Sequence, residues 1–90
     1  KIDVEDQKLL DDQSKLIIKD FISKFEALSS LNKETLEPII KSLIEKYKTN
    51  FKGVGQPLRI GLVGSRFGPG LYDVILSLEK SEVTKRLSRI

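Results

Sequence analysis

Apolar residues recur along this chain at the three- and four-residue spacing of a single helix face. Over residues 4–28, Leu10, Ile17, Phe21 and Leu28 fall at that spacing. Ile18 and Phe25 widen the stripe, while Lys, Asp and Glu fill the opposite side. The pattern predicts one long, unbroken helix. Ser29, Ser30 and Asn32 then mark a turn. A second helix is predicted over residues 33–48, with Leu36, Ile39, Ile40, Leu43, Ile44 and Tyr47 as its stripe. Asn32 suits its N-cap, because an asparagine side chain accepts from the orphan amides of a first turn. Pro38 admits two starts. From Thr35 it falls in the first turn, where its missing N–H is harmless; from Asn32 it falls deeper.

The second half is harder to read. Residues 50–56 look like a connection punctuated by Gly53 and Gly55. Residues 57–63, Pro-Leu-Arg-Ile-Gly-Leu-Val, fit a buried strand or a short buried helix with Pro57 in its first turn. So short a run does not separate the two by periodicity. Residues 65–68 form a loop, and Pro69 opens another helix with Leu71, Val74, Ile75 and Leu78 buried. Lys80 and Ser81 make a short break, with Ser81 as the cap of a last helix and Glu82 in its first turn. Val83, Leu87 and Ile90 line that helix, and Lys85, Arg86 and Arg89 sit near its end, where cations suit the dipole. The expected fold is all-α. It is a small bundle of about five helices, two long ones over residues 1–50 and a short-helix part over residues 51–90.

Ninety residues make one small domain or a piece of a longer chain. No methionine occurs and the chain opens on Lys1, so a fragment is expected. At 39% hydrophobic and 32% charged, the composition is that of a folded soluble chain. There is no cationic-apolar leader and no apolar run near 18 residues, so a cytoplasmic setting without membrane insertion is expected. Cysteine and histidine are both absent. That removes disulfides, thiolate sites, the commonest metal ligand and the commonest neutral-pH acid–base group. Charge is uneven: residues 1–45 hold 7 lysines and 10 acids, a net −3, while residues 46–90 hold 9 Lys or Arg and 3 acids, a net +6. A basic half suggests a polyanion, or else a solvated surface with a chance excess.

Several candidate sites dissolve on inspection. All six glycines follow position 52, but a dinucleotide fingerprint begun at Gly53 and Gly55 needs glycine where Leu58 stands. A phosphate-cradling loop ends in Gly-Lys-Ser/Thr, whereas Gly70 precedes Leu71 and Tyr72. Asp11 and Asp12 read as a solvated helix face, with no apolar setting to perturb them. Arg59 differs, because it lies within the most apolar stretch. Buried arginines are rare unless paired. It either pairs or snorkels to the surface, or it presents a guanidinium to a ligand from an apolar ledge. Arg66 and Phe67 stand in a glycine-bounded loop before a helix N-terminus. Such groups stack on unpaired bases unless Phe67 folds back into the core.

Gln56-Pro57-Leu58-Arg59-Ile60-Gly61-Leu62-Val63-Gly64-Ser65, three spacer residues, then Pro69-Gly70-Leu71-Tyr72-Asp73-Val74-Ile75-Leu76-Ser77-Leu78 form a specific combination. It resembles the C-terminal anticodon-binding region of bacterial-type glutamyl-tRNA synthetases, class I enzymes with the pattern Q-P-L-R-x-A-L-T-G-S, a short loop, P-G-L-x-E, an apolar helix and a basic closing helix. The distinctive match covers about 35 residues. The resemblance implies an all-helical region, so residues 57–63 should be helical. It implies a glutamate–tRNA ligase that uses ATP and magnesium in a separate catalytic domain, whose H-I-G-H-like and K-M-S-K-S-like signatures are absent here. The chain alone is therefore expected to have no catalytic or metal-binding residue and no cofactor. Its expected partners are the anticodon loop of a glutamate-accepting tRNA and the rest of the synthetase, and a monomer is expected. Carried over, the anticodon contacts are Arg59, Gly68, Pro69 and Leu71. Arg59 would bond a base edge or phosphate, Leu71 would pack against a splayed-out base, and Pro69 would offer backbone groups. The family often has a small polar residue where Gly68 stands, so contact there falls to the backbone. Arg66 and Phe67 join the set from their own chemistry. Two other functions compete: a helical protein–protein interaction module using the stripe over residues 36–47, and a small-molecule enzyme, which the missing histidine and cysteine disfavour.

Overall fold

Asp11 ends the first helix early. In the computed structural model, which describes residues 4–65, 67–68 and 70–90, its carboxylate accepts the Ser14 N–H at 2.8 Å. The Ser14 hydroxyl in turn donates to the Leu9 carbonyl at 2.8 Å. Such bonds offer the backbone an alternative to the helical ladder. The single helix expected over residues 4–28 is therefore two, α1 (Val4–Gln7) and α2 (Asp12–Glu26). Asp11 is exposed, as expected of a solvated acid, but it is the N-cap of α2 rather than a residue within a helix, and the Ser14 amide holds its carboxyl below the usual range.

Asn32 caps α3 (Lys33–Lys46) as expected, in a capping box closed by Thr35. Thr35 N–H donates to Asn32 Oδ1 at 2.9 Å, and Asn32 N–H donates to Thr35 Oγ1 at 3.1 Å. This is the earlier of the two starts, so Pro38 lies beyond the first turn. Pro38 and Glu34 are both exposed, so the ladder bond that proline cannot make is lost on the solvent side of the helix.

The connection expected over residues 50–56 is instead the opening of α4 (Phe51–Val63). Asn50 Oδ1 accepts the Gly53 N–H at 2.8 Å and caps the helix. Helical glycine costs about 1 kcal/mol relative to alanine, and the burial of Val54, Leu58 and Leu62 offsets it. Residues 57–63 are thus helical, and Pro57 lies in the helix interior, not its first turn. After the loop come α5 (Leu71–Ser77), with Gly70 in the N-cap position, and α6 (Lys80–Ser88). Ser81 does not cap α6. Glu79 occupies that position without a side-chain bond, and Lys80 Nζ reaches back to the Glu26 and Leu28 carbonyls at 3.0 and 2.6 Å. That tie fixes the start of α6 on the end of α2.

Among the described residues there is no strand, and the fold is all-α. One apolar cluster runs from Ile17 to Leu87. α2 packs against α3, α4 and α6, and α4 also packs against α3, α5 and α6. Leu36, Ile39, Ile40 and Leu43 of α3 are buried in this cluster. The stripe that suggested a docking face for another protein is internal.

A polar clasp joins α2 to the end of α3. Lys46 Nζ and Tyr47 Oη both donate to Asp20 Oδ2, at 2.6 and 2.5 Å. Lys46 first and Tyr47 second hold the Asp20 carboxyl below its ordinary 3.8. A carboxyl whose pKa is lowered by folding stabilises above its unfolded pKa and ceases to as the pH falls through its folded one. From about pH 5 to about pH 2 the wild type should therefore lose stability more steeply than Asp20→Asn. Urea midpoints across that range measure it. Parallel slopes would mean that this exposed clasp adds nothing, as many surface pairs do.

Candidate nucleic-acid interface

Arg59 projects from α4 between Leu58 and Ile60, each 0% exposed. It is half-buried itself, with its Nε enclosed. One turn earlier stands Gly55, where an added β-carbon would lie 3.5 Å from Phe51 Cε2 and 3.7 Å from Leu71 Cδ2. α5 thus begins against α4 one turn from Arg59. Leu71 thus packs on α4 one turn from Arg59, although the two are 12 positions apart in the chain.

Leu71 is only 1% exposed. The expectation that its side chain packs against a base is corrected here: α4 already covers it, and withdrawing it would open the core. What remains available at Leu71 is backbone at the start of α5. Phe67, by contrast, is 68% exposed, which removes the reading that folds it into the core. Its N–H donates to Ser65 Oγ at 3.1 Å. Gly68 has φ +131°, a left-handed conformation that side chains rarely adopt, and nothing lies within 4 Å of where a β-carbon would stand. Its backbone is open to close approach. Arg66 and Pro69 lie outside the described residues.

Beside the start of α5 is a pair that sequence reasoning did not single out. The rings of Phe51 and Tyr72 stand 6.1 Å apart, and Lys33 Nζ lies 5.7 Å from the centre of the Tyr72 ring. Phe51 is 44% exposed. The available signal was an aromatic at each helix start, just off the apolar stripe. The surroundings are electrically mixed, since burial first and the Glu37 charge second push the Tyr72 hydroxyl up.

The basic excess of residues 46–90 is partly internal. Of its nine cations, Lys46 pairs with Asp20, Lys80 ties α6 to α2, and Arg86 bonds Glu82 and the Leu62 carbonyl. The Arg86 guanidinium holds the Glu82 carboxyl below its usual range. Lys48, Lys52, Lys85 and Arg89 are exposed. Among the described residues, no three His, Cys, Asp or Glu side chains gather to hold a metal, and no helix is long and apolar enough to cross a membrane. A half-buried arginine, a backbone opened by glycine and an exposed phenyl ring are residue types that serve in holding an unpaired base.

The family model described as an anticodon binding domain matches residues 1–90. A glutamate–tRNA ligase of Pelagibacter ubique is 61% identical over 87 residues, which is 97% of this chain and 19% of that protein. Glutamate–tRNA ligase 1 of Syntrophus aciditrophicus is 42% identical over 71% of this chain and 14% of its own length. The ligase of Desulfitobacterium hafniense is 34% identical over 76% of this chain, again 14% of its own length. The chain thus spans a fifth or less of the curated relatives that it matches. Its all-helical fold and its match along residues 1–90 agree: the chain belongs to the anticodon binding domain family.

Proposed function

We propose that this chain is the anticodon-reading part of a glutamate–tRNA ligase acting in the cytoplasm, and that it binds the anticodon loop of a glutamate-accepting tRNA without catalysing a reaction itself. The observation that carries this is the 61% identity to such a ligase over 97% of the chain, joined to the family match over residues 1–90. Arg59 supplies a guanidinium to a base edge or phosphate. Gly68, Pro69 and Leu71 supply backbone groups, and Arg66 and Phe67 add charge and a stacking face. The helices of residues 1–50 support this surface from beneath through the packing of α2 and α3 on α4. We assign ATP, magnesium and the joining of glutamate to tRNA to the part of the ligase outside this chain.

The test is a titration of the chain with a glutamate-tRNA anticodon stem-loop, followed by amide NMR. Shifts are expected at Arg59, Gly68 and Leu71. Shifts confined to α2 would overturn the proposal. Phe67→Ala should leave the melting temperature nearly unchanged, because the ring is 68% exposed. It should weaken binding by roughly 1–3 kcal/mol if the ring stacks on a base, and unchanged affinity would remove Phe67 from the site.

A further inference from the structure

α6 grips the last turn of α4 at two points. At Gly61 an added β-carbon would stand 2.7 Å from Leu87 Cδ2, and Leu87 is 1% exposed. The buried Leu87 side chain therefore fills the space that a β-carbon at position 61 would need, and a substitution there would have to displace it. At the next residue, Arg86 Nη1 donates to the Leu62 carbonyl at 2.8 Å, while its Nε donates to Glu82 Oε2 at 2.7 Å. The Leu62 carbonyl is one of the last four of α4, which have no partner within the helix. A cation there also suits the dipole. A planar guanidinium with one N–H on a carboxylate and another on a carbonyl fixes direction as well as distance.

Two residues further on, Gly64 closes α4 at φ +81°, with its N–H on the Ile60 carbonyl at 2.8 Å. The chain then leaves for the loop that carries Phe67 and Gly68. The direction of that exit follows from the last turn of α4, and α6 holds that turn. Arg59 stands within one turn of the same end.

We infer that Glu82 and Arg86 are positioning residues for anticodon discrimination. The pair aims the loop after α4 relative to Arg59, and Arg86 acts through the Leu62 carbonyl rather than as a phosphate-binding cation. The inference rests on the RNA reading proposed above.

The experiment compares the wild type with Arg86→Gln, Arg86→Lys and Glu82→Gln. Each binds the anticodon stem-loop and a copy with one anticodon base changed, across a salt series. The wild type should prefer the first RNA. All three variants should shrink that preference roughly three- to tenfold, the scale on which residues touching neither partner alter coupling. Their salt slopes should match the wild type. The Gly64 amide should exchange faster in each free variant, with the α2 core amides unchanged.

Glu82→Gln decides the sign. It removes a negative charge, so a pair contributing only electrostatics would bind both RNAs more tightly. In that case Arg86→Lys would behave as the wild type, and Arg86→Gln would lower the salt slope by about one unit. That pattern overturns the inference. So does an unchanged Gly64 exchange rate, or variants that discriminate as well as a discriminating wild type. A wild type that treats the two RNAs alike overturns the RNA reading, and this inference with it.

Discussion

Replacing Arg59 by alanine should weaken binding of the anticodon stem-loop by roughly 1–3 kcal/mol, about 5- to 150-fold, the scale of one good base contact. Arg59 is half-buried, with Leu58 and Ile60 on either side at 0% exposure and its Nε enclosed. A side chain held in this way has already lost much of its rotamer freedom. It forfeits less on meeting RNA than a lysine waving from the surface would. Arg59→Lys separates the two contacts open to the guanidinium. A phosphate accepts either cation, whereas a bidentate base edge requires the planar fork. If the lysine variant binds as the alanine variant does, Arg59 reads a base. If it binds as the wild type does, Arg59 holds the backbone. Equal affinity for the wild type and both variants would remove Arg59 from the interface. Fluorescence titration at two salt concentrations gives these affinities, and circular dichroism confirms that helical content is retained.

How much of this was legible without coordinates depends on the range of each interaction. The α2 and α3 stripes are local, and their periodicity places Ile17, Phe21, Phe25, Leu36 and Leu43 in the core, where they lie. Asn32 was legible for the same reason, since a cap bonds its own first turn. Asp11 is equally local and was missed. It precedes an apolar-periodic run as an N-cap should, but the acids around it suggested a solvated face. The local pattern of residues 57–63 left strand and helix open because bulky apolar residues alternate with glycine and arginine there; the family resemblance pointed to a helix, and they are helical. What makes them helical lies upstream, in the Asn50 cap and in packing of α4 against its neighbours.

Arg59 stood out in the sequence as an arginine amid apolar residues, and the structure keeps it on α4 one turn from where α5 begins. Leu71 belonged to an apolar stripe and also to the family's contact pattern. Only its burial decided against the side-chain contact. The internal use of α6's cations was not legible at all. Arg86 finds its carbonyl 24 positions away and Lys80 finds one 52 away, and no local pattern encodes such pairs. Three of the nine cations of residues 46–90 are thus held by bonds within the fold, which leaves fewer cationic side chains free to meet a polyanion than the sequence suggests.

Phe25→Ala should cost roughly 3–5 kcal/mol, the range for emptying a large aromatic site in a core. A chain of 90 residues has a total stability of about 5–13 kcal/mol by the usual per-residue scale. The variant should therefore sit near its unfolding threshold, with its melting temperature lower by at least about 12 °C. Phe25 is 0% exposed and stacks on Phe21 with ring centres 5.3 Å apart and planes 19° from parallel. The vacancy opens on α2, which packs against three other helices, so no single side chain can relax to fill it. Leu16 in the same helix is 54% exposed, and Leu16→Ala should stay within about 0.5 kcal/mol of the wild type. Urea melts of both variants measure the contrast. A loss below about 1 kcal/mol for Phe25→Ala would mean that the core around α2 collapses readily. The two large-effect variants also separate stability from recognition. Phe25 is remote from the proposed contacts in sequence and buried, so its variant loses RNA affinity only as far as it unfolds. Sucrose or TMAO, which favours the compact state, should restore binding to Phe25→Ala and leave Arg59→Ala as weak as before. Recovery of both variants would assign Arg59 to the fold instead of the RNA.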